Sequence, residues 1–391
     1  MSAYQVVKGW DYMATLRRGD HGSGVAEIRE ILVRLGLLNT PAASATHAGV
    51  SIGDVFDADC EAAVLAFQQE RGLMVDGIVG RATYSALREA SYYLGKRMLT
   101  YMVAAPMTGD DVATLQGRLQ NLGFYHGLVD GVFGDVTHQA VCRYQSESDL
   151  TPDGICGPAT LRALERLGSR VTGGSPHAIR EEEHVRRSGP QLTGKRILID
   201  PFPGDAGEEE KSLLWDVAAR LEGRMAAAGM ITSLSHDRHT SRTDEEKAFT
   251  ANVIDADLMI ALRLGNYPNP QANGVATFYF GNHHGSYSTI GRNLAGYIQR
   301  EVVARTPLLD CRVHERTWNL LRLTRMPTVV LEAGYFSNQH DRELLMAPES
   351  RDTIAEAVLV AVKRLYLQGR DDRPTGTYTF ADLLEAEQLN Y

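Results

Sequence analysis

Pro327-Thr328-Val329-Val330-Leu331-Glu332-Ala333-Gly334-Tyr335-Phe336-Ser337-Asn338 is the stretch that decides the fold of the C-terminal half. Thr328 to Glu332 reads as an apolar strand ending on a carboxylate, punctuated by Pro327 before it and Gly334 after it. The same character recurs upstream. Ile197 to Asp200, Asp257 to Leu264 and Val275 to Phe280 read as strands. Between and after them, Leu213 to Met230 reads as a helix that stops at Gly229, and a last helix is expected from Thr353 to Leu367. Alternation of this kind argues an α/β domain over residues 196–369, with a mostly parallel twisted sheet flanked by helices.

The N-terminal part repeats itself. Phe67-Gln68-Gln69-Glu70-Arg71-Gly72-Leu73-Met74-Val75-Asp76-Gly77-Ile78-Val79-Gly80 aligns with Tyr144-Gln145-Ser146-Glu147-Ser148-Asp149-Leu150-Thr151-Pro152-Asp153-Gly154-Ile155-Cys156-Gly157. The match runs on through Ala82-Thr83 against Ala159-Thr160, and upstream Ile28, Leu32 and Leu35 correspond to Leu115, Leu119 and Leu122 at helical spacing. An insertion in the first copy, roughly 39–53, changes the offset. Each copy reads as three helices joined by glycine turns, over residues 12–92 and 105–168, because glycine takes the positive φ that such turns need.

Composition sets limits. With 391 residues, 43% apolar and 23% charged, the chain has ample material for two or three buried cores. A net charge of -9 argues against a nucleic-acid or anionic-membrane surface, either of which needs clustered Lys and Arg. The first residues hold no apolar signal segment, and no run is long enough to span a membrane. Cys60, Cys142, Cys156 and Cys311 lack CxxC spacing and read as free thiols, which points to the cytoplasm.

Residues 169–195 are rich in Gly, Pro and charge and read as a linker. Residues 370–391 read as a flexible tail in which Thr375, Thr377 and Thr379 alternate. Phe380, Leu383 and Leu384 follow at i, i+3, i+4, the spacing of a short helix that docks in a groove. Phosphorylation of the threonines would create an Arg-seeking motif of the kind FHA domains read. The alternative is an ordinary terminus whose helix packs on its own domain.

Two resemblances follow from these residues. The repeats, with their D-G-x-x-G-x-x-T signature, resemble the peptidoglycan-binding domain appended to cell-wall hydrolases. They are expected either to bind wall-derived ligands or to act only as a protein-contact platform. The C-terminal domain resembles the zinc-dependent N-acetylmuramoyl-L-alanine amidases, on Ile199-Asp200-Pro201, Glu210-Lys211, Ala251-Asn252, Ala256 to Ile260 and the Pro327 to Asn338 stretch. That family holds zinc with a His in an Asp-Pro-Gly-His-Gly-Gly motif, a Glu opening the next helix and a His at a strand end, with a further Glu as general base.

Here the first motif reads Asp200-Pro201-Phe202-Pro203-Gly204-Asp205, and the strand end reads Ala261-Leu262-Arg263-Leu264-Gly265. Pro203 and Arg263 thus stand where the resemblance requires histidine ligands, while Glu210 and Glu332 keep the matching carboxylate positions. A catalytic zinc needs three protein ligands and an open position. Proline offers no donor atom, and a guanidinium keeps its proton. A cation 4 Å from Arg263 would be repelled by roughly 4 kcal/mol per charge at an effective dielectric of 20. Arg263 is therefore expected to pair with Glu210 or Glu332, and no catalytic residue, metal or other cofactor is expected. His236, His239, His283 and His284 are the candidates for a relocated metal site.

With the tail included, the whole chain resembles the cytoplasmic pseudo-amidases of mycobacteria and corynebacteria. That resemblance implies a non-catalytic regulator of peptidoglycan precursor synthesis, phosphorylated on tail threonines by a Ser/Thr protein kinase. It implies activation of the UDP-N-acetylglucosamine enolpyruvyl transferase MurA, with an FHA-domain protein and the lipid II flippase MurJ as further partners and recruitment to the membrane through them. The alternatives are a zinc amidase with a rearranged site, or a plain peptidoglycan-binding module.

Overall fold

In the computed structural model, residues 15–39, 46–47, 50–51, 55–166, 176–202, 207–266, 269–282, 284–367 and 373–388 are described. The chain divides into two compact units, the first ending at Pro176 and taking in Asn282–Ser286, the second made of His177–Gly281 and the chain from Tyr287.

The first unit holds two three-helix modules. One is α1 (Ser23–Arg34), α2 (Ala58–Glu70) and α3 (Arg81–Ala90), with a two-residue antiparallel pair, β1 (Thr46–His47) and β2 (Val50–Ser51), in its insertion. The other is α4 (Asp110–Asn121), α5 (Asp135–Glu147) and α6 (Pro158–Arg166). Ile28, Leu32, Phe56 and Phe67 fill the first core, and Leu115, Leu119, Phe133 and Tyr144 the second.

One polar device recurs in both modules. Gln145, buried on α5, reaches Asp153 Oδ1 at 2.7 Å, Ile155 O at 3.1 Å and Thr160 Oγ1 at 3.0 Å through Nε2. Its Oε1 accepts from the Gly154 N–H at 2.8 Å. Gln68 does the same for Asp76, Ile78, Thr83 and Gly77. A third version lies inside the second module, where Gln116 on α4 reaches Asp130, Val132 and Thr137 and accepts from Gly131. The glycine after each aspartate sits at φ near +72°, the left-handed region that favours glycine: 71° at Gly77, 73° at Gly131, 71° at Gly154. Each glutamine gives its amide oxygen to the buried N–H of the turn glycine and its amide nitrogen to the aspartate, carbonyl and threonine around it.

The second unit is a six-stranded sheet with helices on its faces. In chain order it contains α7 (Pro176–Arg187), β3 (Arg196–Pro201), α8 (Glu208–Ala227), β4 (Ile231–Leu234), α9 (Asp244–Val253), β5 (Leu258–Gly265) and β6 (Val275–Phe280). Then come α10 (Thr289–Arg305), β7 (Asp310–Arg316), α11 (Asn319–Leu323), β8 (Thr328–Tyr335), α12 (Gln339–Met346), α13 (Pro348–Leu367) and α14 (Phe380–Gln388). The strand order is β4-β3-β5-β8-β6-β7, parallel throughout except for the β6/β8 pair. The sheet is thus mixed but mostly parallel. Helices α8, α10 and α13 supply Leu221, Leu294 and Val358 to its core.

Two sequence-based boundaries need correction. The expected linker, 169–195, contains α7, which buries Val185 and Glu181. Its charge run reads as solvated because Glu183 pairs with Arg187 on the exposed face at 2.6 Å, while the buried face carries only a few apolar residues. The expected flexible tail, 370–391, contains α14, and Leu383 and Tyr378 belong to the sheet domain's core. Glu387 completes the docking by a buried ion pair with Lys363 and by accepting the Leu192 N–H at 3.1 Å. Docking on the domain's own surface is the alternative that the i, i+3, i+4 spacing left open.

All four cysteines are free; burial pushes the Cys60 thiol to about 11 and the Cys156 thiol to about 12, so neither is a ready nucleophile. Among the described residues, no helix is long and apolar enough to cross a membrane.

Candidate functional site

The C-terminal ends of β3, β5 and β8 converge, which is where open α/β sheets place their ligand sites. Asp200, next to last on β3, is fully buried and accepts from the Ser235 hydroxyl and from Lys247 Nζ at 3.2 Å, with His236 Nδ1 3.5 Å away. Burial by itself would raise this carboxyl, but the His236 and Ser235 hydrogen bonds and the Lys247 charge hold it below the ordinary range. Asp200 is therefore an anchored anion that ties β3 to α9.

Arg263, near the end of β5, lies in register with Glu332 on β8. Its Nε is 3.5 Å from Glu332 Oε2 and makes no hydrogen bond among the described residues, so charge rather than a hydrogen bond joins the two. The guanidinium also lies 5.6 Å from the Phe202 ring centroid and 4.8 Å from that of Trp318. Phe202 in turn carries Lys247 Nζ at 4.0 Å, and Trp318 packs on Phe278 at 4.8 Å, beside Arg316. The result is a run of three cations and three aromatic rings across the strand ends.

Glu332 is the carboxylate that this stack surrounds. Burial lowers the Arg316 guanidinium from its ordinary value, and the Glu332 charge acts against that. The Tyr335 hydroxyl is held well above its ordinary value by burial, then by the charge of Glu332 and a hydrogen bond to it. The β5/β8 register shifts here: two steps on β5, Arg263 to Gly265, face three on β8, Glu332 to Tyr335. A Cβ on Gly265 would stand 2.7 Å from the Tyr335 ring.

Glu210 is elsewhere engaged. It occupies the third position of α8, and its Oε2 accepts the Gly207 N–H at 2.8 Å. A carboxylate at this third position folds back onto the N-cap N–H, one half of a capping box. Of the two carboxylates expected to compete for Arg263, the structure joins Glu332 to it. Pro203 lies outside the described residues.

The histidines are dispersed: His236 is buried beside Asp200, His239 is exposed on the loop after β4, and His283 lies outside the described residues. The tail threonines sit apart from the strand ends, against α10 and α13. Thr375 Oγ1 accepts from Arg364 at 3.0 Å, Thr377 donates to Pro374 O at 2.6 Å, and Thr379 caps α14 in a reciprocal pair with Asp382. Residues that sequence reasoning passed over are Trp318, Arg316 and Lys247, which stand in no motif. Phe202 was visible in the quoted motif, in a place where the related pattern has glycine.

A sheet of this topology with these motifs at its strand ends defines an amidase-type domain carried behind two peptidoglycan-binding modules. Family models agree: the N-acetylmuramoyl-L-alanine amidase model matches residues 199–364, and the peptidoglycan binding domain model matches 21–87 and 108–164. The chain is 60% identical over 383 residues to the N-acetylmuramoyl-L-alanine amidase CwlM of Mycobacterium tuberculosis, covering 95% of this chain and 94% of that one. It is 26% identical over 174 residues to the amidase LytC of Bacillus subtilis, covering 43% of this chain and 34% of LytC. The solved amidase of Clostridium difficile 630 is similar over 46% of this chain and 99% of its own, at 21% identity and a TM-score of 0.41. The chain belongs to the N-acetylmuramoyl-L-alanine amidase family, in its CwlM branch.

Amidases of the resembling type carry zinc, and the described residues here do not fit it. Arg263 presents a guanidinium with no lone pair, Glu332 is held by that cation, and Glu210 is committed to a helix end. Among the described residues, no group of three or more His, Cys, Asp and Glu side chains is placed to hold a metal ion.

Proposed function

We propose that this chain is a non-catalytic member of its family, a pseudo-amidase that regulates peptidoglycan precursor synthesis. The observation that carries the reading is the Arg263–Glu332 pair, 3.5 Å apart at the place where the family resemblance requires a zinc ligand and a general base. A base that neutralises a fixed cation has no metal-bound water to deprotonate. Pro203 and Arg263 are then lost-ligand positions, with Glu210 and Glu332 as vestiges. On this reading the protein acts in the cytoplasm, where a wall amidase meets no polymeric substrate.

The regulatory output is assigned to the tail. Thr375, Thr377 and Thr379 are the proposed targets of a Ser/Thr protein kinase, and the phosphorylated form is proposed to activate MurA, with FHA-domain and MurJ contacts as further outputs. Arg364 beside Thr375 supports this reading, since a phosphate there would meet a guanidinium and compete with Glu301 for it. The test has two parts. Zinc titration by calorimetry should show no stoichiometric site, and kinase-treated protein should stimulate enolpyruvyl transfer. Stimulation that survives alanine at all three threonines would refute the switch. Zinc-dependent release of peptide from a muramyl-peptide, lost on Glu332→Gln, would establish a rearranged amidase instead.

A further inference from the structure

A second concave site lies away from the strand ends, on the helix face of the sheet domain. It is a cavity of about 340 Å³ between α10 and the β6/β7 edge, walled by Tyr279, Arg292, Asn293, Tyr297, Arg300 and Val313, with Gly296 in its floor. That volume falls at the small end of ligand pockets. The helix supplies its residues at i, i+1, i+4, i+5 and i+8, a single stripe in which the missing side chain of Gly296 leaves the hollow.

The polar groups around this hollow are uncommitted. Among the described residues, neither Arg292 nor Arg300 forms an ion pair, and the Tyr279 hydroxyl and the Asn293 amide make no hydrogen bond. The two guanidiniums are nevertheless held. Arg292 lies over the Tyr287 ring at 5.7 Å, and Arg300 over the Tyr297 ring at 5.0 Å. Arg364 lies over Tyr297 as well, at 5.5 Å. Stacking on a ring face fixes a guanidinium while leaving its in-plane N–H donors free, which is the arrangement that receives phosphate oxygens in bidentate fashion. No carboxylate lines the cavity. Acidic groups act from outside it: the Glu315 charge on β7, after burial, raises the Tyr279 hydroxyl, while Arg292 lowers it, and Glu301 on α10 pairs with Arg364.

We infer that this cavity is a binding site for a small diphosphate ester. Two arginines eight residues apart on one helix stand roughly 12 Å apart at their Cα atoms, one at each end of the stripe. An anion with two adjacent phosphoryl groups engages both, and a single phosphate engages one. Asn293 and the Tyr279 hydroxyl supply neutral hydrogen bonds between them, and the Val313 wall accepts an apolar portion. The site is separate from the Arg263–Glu332 pair and does not depend on how the tail works.

Calorimetry on the full chain with inorganic pyrophosphate, and with orthophosphate as reference, tests this. Saturable pyrophosphate binding, tighter than that of orthophosphate, is expected. Arg292→Ala and Arg300→Ala should each weaken it roughly tenfold to a hundredfold, the loss of one charge-assisted bidentate contact. Glu315→Gln should tighten it by roughly threefold by removing a like charge. Both arginines are exposed, so circular dichroism of the variants should match the parent, and the gain in Glu315→Gln cannot come from misfolding. Uridine diphosphate and farnesyl diphosphate then identify the organic part: tighter binding of the first supports a nucleotide, and of the second an isoprenoid. No saturation by pyrophosphate at millimolar concentration would overturn the inference, as would binding that both arginine variants leave unchanged.

Discussion

The Arg263 guanidinium lies 3.5 Å from the Glu332 carboxylate, in register on two adjacent parallel strands, and the aromatic rings of Phe202 and Trp318 flank it. This pair takes the place where the strand ends of a parallel sheet would otherwise hold a ligand. It leaves Glu332 with a fixed countercharge, and the stack of rings closes the space around it.

Arg263→Ala should therefore cost more than a surface ion pair does. Glu332 would be left mostly buried without its countercharge, and the rings would lose the cation between them. A loss of about 1–3 kcal/mol is expected, less than for a fully buried pair because the Arg263 side chain is 27% exposed. Urea unfolding of Arg263→Ala, Glu332→Gln and the double variant checks this. Additive losses would show that the two groups do not interact.

The glutamine turns should be the most sensitive polar positions in the N-terminal unit. Gln145→Ala strands the Gly154 N–H, and it leaves Asp153 and Thr160 without their amide partner, while the Ile155 carbonyl keeps the Gly157 N–H at 3.0 Å. A loss of about 2–4 kcal/mol is expected for the second module. Gln116→Ala should cost a similar amount. Hydrogen exchange of the α5 and α6 amides reads this directly, and protection unchanged from the parent would contradict it.

These turns also show how far the sequence could be read. Asp76 and Asp153 announce two of them because the same letters recur in both modules. The third, Asp130 to Thr137, carries the same D-G-x-x-G-x-x-T letters. It was hidden because the first module replaces it: Arg29 stands where Gln116 would, bonding the Val55 carbonyl at 3.0 Å and pairing with Asp57 at 2.8 Å. The strands with apolar runs were legible. Strand β7, Asp310–Arg316, was not, since its polar letters become a strand only through pairing with β6.

At the candidate site, the sequence put Arg263 between two carboxylates without choosing. The choice rests on the start of α8, where Glu210 at the third position folds back onto the Gly207 N–H. The cation and ring partners Lys247, Trp318 and Arg316 are brought in by tertiary packing alone.

Helix α14 should come loose from the domain when its buried charge is removed. Glu387→Ala leaves Lys363, buried on α13, with only the Pro190 carbonyl, and leaves the Leu192 N–H without an acceptor. Removing one partner of a buried pair costs several kcal/mol, more than a short terminal helix can hold. Chymotrypsin cleavage after Tyr378, buried in the parent, should then speed up by more than about tenfold in Glu387→Ala and in Leu383→Asp. Mass spectrometry of the timed digest follows it, and a parent-like rate in both variants would mean that the tail is not held by this contact.

Glu181 should give the sheet domain a pH-dependent stability of definite sign. Burial raises its carboxyl from the ordinary 4.5 to about 7, against the pull of the Ile290 N–H and the Ser288 hydroxyl that donate to it. The folded state therefore binds a proton more tightly than the unfolded state. The contribution is complete below pH 4.5 and is lost as pH rises toward 7, by up to about 3 kcal/mol. His177, 3.6 Å away, works in the opposite direction, because burial lowers it from 6.5 to about 4 and stability then rises with pH over that span. The parent alone would show little net slope where the two overlap. Glu181→Gln isolates the carboxyl: the stability of the parent relative to this variant should fall as pH goes from 4.5 to 7, measured by urea unfolding at matched ionic strength. A difference that stays flat across that range would show that Glu181 titrates normally in the folded protein.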